Sequence, residues 1–253
     1  MEKQTLKIAF STQKGGIGKT TLTVLAASYL HYVKGLNVAV IDCDYPQHSI
    51  VEMRERDVDL VMNTEVYKRM AHKQFSELKR NAYPVVESNS VDAVKVATEL
   101  IEKSEPPLDI VFFDLPGTLN SNGVLKTLAS MDFLFVPVSA DRVVLESTLQ
   151  FTLTLQNSII TPGKAKIKGM YIIWNMVDRR EKSDLYVKYN KIIAELGLEI
   201  LETSLPDSKR FRKEIGSDNK GVFRSTLFPI DKQLIKGSHF DALMSEFFQK
   251  IKI

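Results

Sequence analysis

Gln13-Lys14-Gly15-Gly16-Ile17-Gly18-Lys19-Thr20-Thr21 is the stretch on which the fold of this chain turns. An apolar run, Leu6 to Phe10, leads into it. Beyond it, from Thr20 to Lys34, the residues Leu22, Leu25, Ala26, Tyr29, Leu30 and Val33 recur at helical spacing. Strand, glycine turn and helix thus follow one another in the order a phosphate-binding loop requires, an order that a chance glycine-rich turn with two solvated lysines seldom achieves. Glycines let backbone N–H groups turn inward on a phosphate, and the helix start adds unpaired donors and the positive end of its dipole. Lys19 is placed for the β- and γ-phosphates of a nucleotide and Thr20 for Mg2+, with Gly15, Gly16, Ile17, Gly18 and Thr21 completing the cradle. The common pattern G-x-x-x-x-G-K-[ST] is not fully met, because Gln13 stands where its first Gly belongs.

Working outward, apolar runs alternate with helical periodicities along the whole chain. Gly35 is placed to end the first helix, and a second strand, Asn37 to Ile41, closes in Asp42-Cys43-Asp44. Residues 46 to 80 have a helical pattern, with Asn63 and Thr64 as candidate caps. Tyr83 to Glu87 reads as a strand at a sheet edge because of Pro84, and Ser90 as the cap of a helix over Val91 to Ile101. The strand Asp109 to Phe113 ends in Asp114, and the Pro116-Gly117 pair that follows makes the next loop stiff and then permissive. Phe133 to Val138 is a further strand, ahead of a helix from about Val143 to Ile160. Met170 to Trp174 then runs into Asn175-Met176-Val177-Asp178. A helix over Asp184 to Leu196, a strand over Glu199 to Leu205, and a helical remainder follow, with Ser238 and Asp241 patterned as a capping box. These elements predict one α/β domain over 1–253, a mostly parallel, twisted sheet with helices on both faces.

In such a sheet ligands gather at the carboxyl ends of the strands. Asp42, Asp44, Asp114 and Asn175 all occupy such ends. A buried strand closing in Asp114 matches the Walker B arrangement, whose carboxylate reaches Mg2+. Paired acids on a turn also serve as helix caps, and the neighbouring phosphate loop tips the choice for Asp42 and Asp44 toward ligands. The N-x-x-D pattern at Asn175 is also found in guanine sites, but Met176 replaces their lysine, which favours ATP over GTP.

Thirty-four Lys and Arg against 31 Asp and Glu give a net charge of +3, too small to announce a nucleic-acid partner by itself. One cysteine excludes an internal disulfide or a cysteine-built metal centre and fits a reducing compartment. His31, His48, His72 and His239 have no metal-ligand spacing. The first residues lack the apolar core of a signal peptide and no run is long enough to span a membrane, so a cytoplasmic location is expected.

The loop, with its additional lysine at position 14 ahead of the paired glycines, resembles the deviant phosphate loop of the ParA/MinD superfamily of ATPases. The likeness extends to Val38–Asp44 with Pro46-Gln47, to Asp109–Pro116, to Phe135–Val138 and to Leu205-Pro206. It looks most like the partition-type members of plasmids and conjugative elements. The resemblance implies that Lys14 reaches a partner's phosphates across a nucleotide-sandwiched homodimer and that Lys19 and Thr20 act in their own subunit. It implies further that Asp42 orients the attacking water, that Asp42 and Asp114 hold the metal shell, and that Asn175 and the backbone at Pro206 and Asp207 contact adenine. It also implies an activating partner of the centromere-binding (ParB) type and nucleoid association of the ATP-bound form. Two departures stand out: Tyr45 is inserted before Pro46-Gln47, and Gly117 replaces a common second proline, which suggests a looser switch loop.

Charge is segregated, since Lys164 to Arg224 holds 14 Lys and Arg against 9 Asp and Glu. Arg179, Arg180, Lys209, Arg210, Arg212 and Lys213 form its densest clusters. Such runs are commonly a solvated face; here they are candidates for sequence-independent contacts to DNA phosphates. Three contacts per chain, from Lys209, Arg210 and Arg212, would give a dimer about six and a log–log salt slope near −5. The alternative is a MinD-like ATPase that inserts its final helix into lipid. Residues 239–253 are amphipathic, with Phe247 and Phe248, but carry only Lys250 and Lys252 as cationic side chains after Asp241 and Glu246, which favours packing on the domain over lipid.

Overall fold

A computed structural model describes residues 4–118, 123–178, 180, 183–216 and 221–253. Seven strands form one sheet: β1 (Leu6–Phe10), β2 (Val38–Asp42), β3 (Val85–Glu87), β4 (Ile110–Asp114), β5 (Phe133–Val138), β6 (Gly169–Trp174) and β7 (Glu199–Ile200). Their order is β3-β2-β4-β1-β5-β6-β7, and every pairing is parallel. Strands β2, β4 and β5 are buried along their whole length, as their apolar runs require.

Alternation along the strands divides the core in two. Ile8, Phe10, Val40, Phe112 and Phe135 face one side, covered by α1 (Lys19–Ser28), α2 (Ser49–Asn63) and α9 (Phe240–Ile251). Ala9, Ile41, Phe113, Leu134 and Val136 face the other, under α4 (Ala93–Lys103), α5 (Val124–Ala129), α6 (Arg142–Leu155) and α7 (Ser183–Glu195). A smaller cluster joins Tyr67 and Ala71 of α3 (Glu65–Leu78) to Ile215, Val222, Leu227 and Phe228. The expected edge strand is at the edge, and the strand starts fall within a residue or two of expectation.

Four local expectations fail. Ser90 does not cap α4; Asn89 Oδ1 accepts from the N–H groups of Val91 and Asp92, while the Ser90 carbonyl accepts from Thr127 Oγ1. Strand β7 has two residues rather than seven: Leu201 N–H still donates to the Ile172 carbonyl of β6, but Glu246 of α9 then takes the N–H groups of Glu202 and Thr203. Ser238 and Asp241 make no capping box, since Ser238 Oγ donates back to the Ile235 carbonyl and accepts from Phe240 N–H. Among the described residues, 206–216 and 221–239 are mostly irregular rather than helical, with a 3-10 turn at Lys209–Arg212 and the short α8 (Lys232–Ile235). Tertiary bonds hold the second of these instead: buried Asp57 of α2 accepts from Ser225 Oγ and from both N–H and Oγ1 of Thr226, and Arg54 donates to Thr226 and to the Tyr83 carbonyl.

Candidate functional site

The turn after β1 wraps the mouth of a cleft of about 650 Å³ at the carboxyl edge of the sheet, lined by Gly15, Gly16, Gly18, Lys19, Thr20 and Thr21. Gly18 starts α1 at φ 88°, a conformation that favours glycine, and a Cβ there would lie 2.8 Å from Asn175 Nδ2. Lys19 is buried and its Nζ donates to the Lys14 carbonyl at 3.2 Å. Burial pushes its pKa down, against the pull of Asp114 and Asp44. Gly117, on the loop after β4, approaches so closely that a Cβ would sit 3.2 Å from both the Gln13 carbonyl oxygen and Lys19 Nζ. Its absent side chain is used for contact with the phosphate loop. Lys14 is half-buried, does not line the cleft, and its side chain makes no hydrogen bond or ion pair among the described residues.

Thr20 Oγ1 donates to Asp114 Oδ2 at 2.7 Å, joining the loop to the end of β4. Asp114 is fully buried and its Oδ1 has no partner among the described residues. Burial raises its pKa to about 7, with the Thr20 bond opposing the shift and the charges of Asp42 and Asp44 adding to it. A hydroxyl and a carboxylate oxygen left open beside a glycine cradle fit Mg2+, which keeps several waters and binds through few protein groups. Among the described residues no group of three or more His, Cys, Asp and Glu is placed to hold a metal by itself.

The two acids after β2 part company. Asp42 is completely buried; its Oδ2 accepts from Ile50 N–H at 2.8 Å and Val51 N–H at 3.0 Å, and its Oδ1 from Asp44 N–H at 3.3 Å. It caps the first turn of α2 and does not line the cleft, contrary to the expectation that it faces the nucleotide. The reason is position across the sheet: Asp42 lies on the face of Val38 and Val40 under the start of α2, whereas Asp114, in register with it on the next strand, meets Thr20 of α1. Asp44 lines the cleft instead, half-buried near Lys19, with its pKa raised by burial. The signal for this was the helix pattern starting just past Pro46, whose first N–H groups need an acceptor. Inserted Tyr45 points outward, 71% exposed, and Gln47 still lines the cleft.

Met176, Pro206, Asp207, Ser208 and Phe211 build the wall on the far side of the loop. Asn175 is buried, and its Nδ2 donates to the Ile17 carbonyl at 2.8 Å. The Asp207 N–H is taken by the Val177 carbonyl. Asp178 does not line the cleft; it is closed on Arg180, which holds its carboxyl down at about 2. The remaining basic candidates are scattered. Arg179 lies outside the described residues. Arg210 Nη1 donates to the carbonyls of Leu234 and Lys236 at 2.9 and 2.7 Å, so it braces α8 and is not free for the phosphate contact expected of it. Arg212 lines the cleft, while Lys209 is exposed and Lys213 half-buried. Arg224, read from sequence only as one more member of a basic run, also lines the cleft, and its Nη1 donates to Thr21 Oγ1 at 2.6 Å.

Comparison with known proteins places this geometry. The sequence model of the CobQ/CobB/MinD/ParA nucleotide binding domain matches residues 8–221. The chromosome-partitioning ATPase Soj of Thermus thermophilus is 28% identical over 210 residues, covering 81% of this chain and 82% of Soj. Among solved structures, a Borrelia burgdorferi B31 chain described as a plasmid partition protein, bound to AMPPNP, superposes with a TM-score of 0.64 at 16% identity, covering 98% of this chain and all of that one. The pNOB8 ParA structure bound to nonspecific DNA superposes with a TM-score of 0.52 at 18% identity, covering 79% of each chain.

Proposed function

The chain belongs to the CobQ/CobB/MinD/ParA nucleotide-binding family, and from that premise we propose that it is a partition-type ATPase that pairs with a second copy around ATP and in that form binds DNA without sequence preference. The observation that carries this is the division of labour between two lysines. Lys19 turns into its own cleft, while Lys14, ahead of the paired glycines, stays out of it with its ammonium uncommitted among the described residues. A cation delivered across the interface is worth about 10³-fold or more in phosphoryl transfer, so turnover depends on pairing.

Within one subunit, loop amides and Lys19 hold the β- and γ-phosphates, and Asp44 orients the attacking water. Thr20 and Asp114 would hold Mg2+, which neutralises phosphate charge when bound. Asn175 and the Pro206–Asp207 backbone flank the adenine, with Asn175 also fixing the loop through the Ile17 carbonyl. Hydrolysis removes the phosphate both subunits grip, and the pair opens. DNA contact falls to Lys209 and Lys213, in the cytoplasm and on nucleoid DNA, with a centromere-binding partner stimulating turnover. Among the described residues no helix is long and apolar enough to cross a membrane. Sizing chromatography with ADP and ATP tests the reading: wild type runs as a dimer with ATP only, and Lys14→Ala binds ATP yet stays a monomer. ATP-dependent dimers of Lys14→Ala refute the trans role.

A further inference from the structure

The cleft is divided by charge along the phosphate loop. Consecutive threonines face opposite ways: Thr20 Oγ1 donates to Asp114, and Thr21 Oγ1 accepts from Arg224 Nη1 at 2.6 Å. On the Thr20 side stand Asp114 and Asp44 with Lys19, a setting for a metal-bound phosphate end. Cations dominate the Thr21 side. Arg224 Nη2 donates to Glu214 Oε1, and Glu214 Oε2 is also paired with Arg56 Nη2 at 3.5 Å, so two guanidiniums share one carboxylate. Arg212 adds a third cation on the same wall.

The backbone fixes Arg224 where it is. Glu214 and Arg224 form a parallel bridge, and Arg224 N–H donates to the Lys213 carbonyl at 2.9 Å. Ser225 and Thr226, the next residues, are bound to buried Asp57 of α2. Arg224 Nε is buried without a partner among the described residues. A guanidinium has five N–H donors, and among the described residues Nη1 and Nη2 are engaged once each, so the described wall offers more donors than it satisfies. A nucleotide seated with its γ-phosphate beside Lys19 and its base toward Pro206 carries its α-phosphate past Thr21.

We propose that Arg224 binds the α-phosphate of the nucleotide from within the same chain, with Glu214 holding the guanidinium in place. This rests on the nucleotide reading of the cleft and adds a residue to it. Because ATP and ADP share that phosphate, Arg224 sets affinity for both alike, whereas Lys14 acts on the ATP-bound pair alone.

The test is titration of the full chain and its Arg224→Gln and Arg224→Lys variants with ADP and ATP, at several salt concentrations, alongside their nucleotide-free melting temperatures. Arg224→Gln weakens ADP and ATP by the same factor, about tenfold to a hundredfold. Arg224→Lys, which keeps the charge and loses the fork, falls between. Loss of a charge contact also makes ADP affinity less sensitive to salt in Arg224→Gln. Unchanged ADP affinity in Arg224→Gln overturns the assignment. So does a loss confined to ATP, or a loss with wild-type salt sensitivity, which marks a residue that only props the wall. A wild-type chain that binds no ADP fails the nucleotide reading itself, and is distinguished by that.

Discussion

At the scale of single residues, the sharpest outcome concerns the acids at the carboxyl end of the sheet. Asp42 and Asp44 are two residues apart, yet one is a buried helix cap and the other lines the cleft. Asp44→Asn therefore keeps ATP binding and slows single-turnover phosphate release by about a hundredfold or more. Asp42→Asn instead costs about 1–2 kcal/mol in urea unfolding, the value of a helix cap. Equal stability losses in the two would remove the distinction. Asp114 makes a pH-dependent demand. Its carboxyl sits at about 7 in the folded protein against 3.8 for the ordinary group, so folding favours the protonated form. Stability from this group is complete below about pH 4 and is lost as pH rises through 7. In chelator, the unfolding free energy of wild type falls from pH 5 to pH 8, and Asp114→Asn loses less, by on the order of 2–4 kcal/mol. Parallel pH profiles would contradict this. A buried carboxylate oxygen without a partner among the described residues is a liability to the fold, and it is the same oxygen that the proposed function would give to Mg2+.

At the scale of elements, legibility followed the locality of the forces. Strands β4 and β5 are continuous apolar runs buried on both faces, β6 is buried from Tyr171 onward, and the sequence shows all three nearly to the residue. The loop and its helix are equally plain, because glycines and a following helix are local facts. The described residues of 221–239 depart from the expected helix because what holds them comes from elsewhere in the chain: Asp57, Arg54 and Gln74, the last donating to the Leu227 carbonyl at 2.7 Å. For the same reason Arg224 could not be seen as part of the cleft; its contact with Thr21 spans 203 positions. The final helix was read correctly as packed. Phe240, Leu243, Met244, Phe247 and Ile251 are buried, and the Phe247 ring lies 4.5 Å from Phe135 and 6.3 Å from both Phe10 and Phe112. A helix so engaged has no apolar face to lend to lipid. Phe247→Ala costs about 3–5 kcal/mol in urea unfolding, and a loss below 1 kcal/mol would show the stack to be incidental.

At the scale of the whole molecule, charge and topology pull toward one edge. The basic excess between Lys164 and Arg224 is real in the sequence, but the structure spends much of it internally: Arg210 on carbonyls, Arg224 on Thr21 and Glu214, Arg180 on Asp178. Lys209 and Lys213 remain, and a dimer would bring about four phosphate contacts rather than six. Nonspecific duplex binding in the presence of a slowly hydrolysed ATP analogue then follows a log–log salt slope near −4, and Lys209→Glu with Lys213→Glu flattens it. A slope near zero, or undiminished binding by the double variant, would detach DNA from this surface. The aromatic stack on which α9 lies has a consequence for how the protein comes into being. Its oldest ring, Phe10, is sheltered by one of its youngest, Phe247. During synthesis every strand leaves the ribosome before that shelter exists, so one side of the sheet stays uncovered until α9 itself has emerged. A message interrupted ahead of Phe240 therefore yields prey for proteases rather than a feeble nucleotide binder.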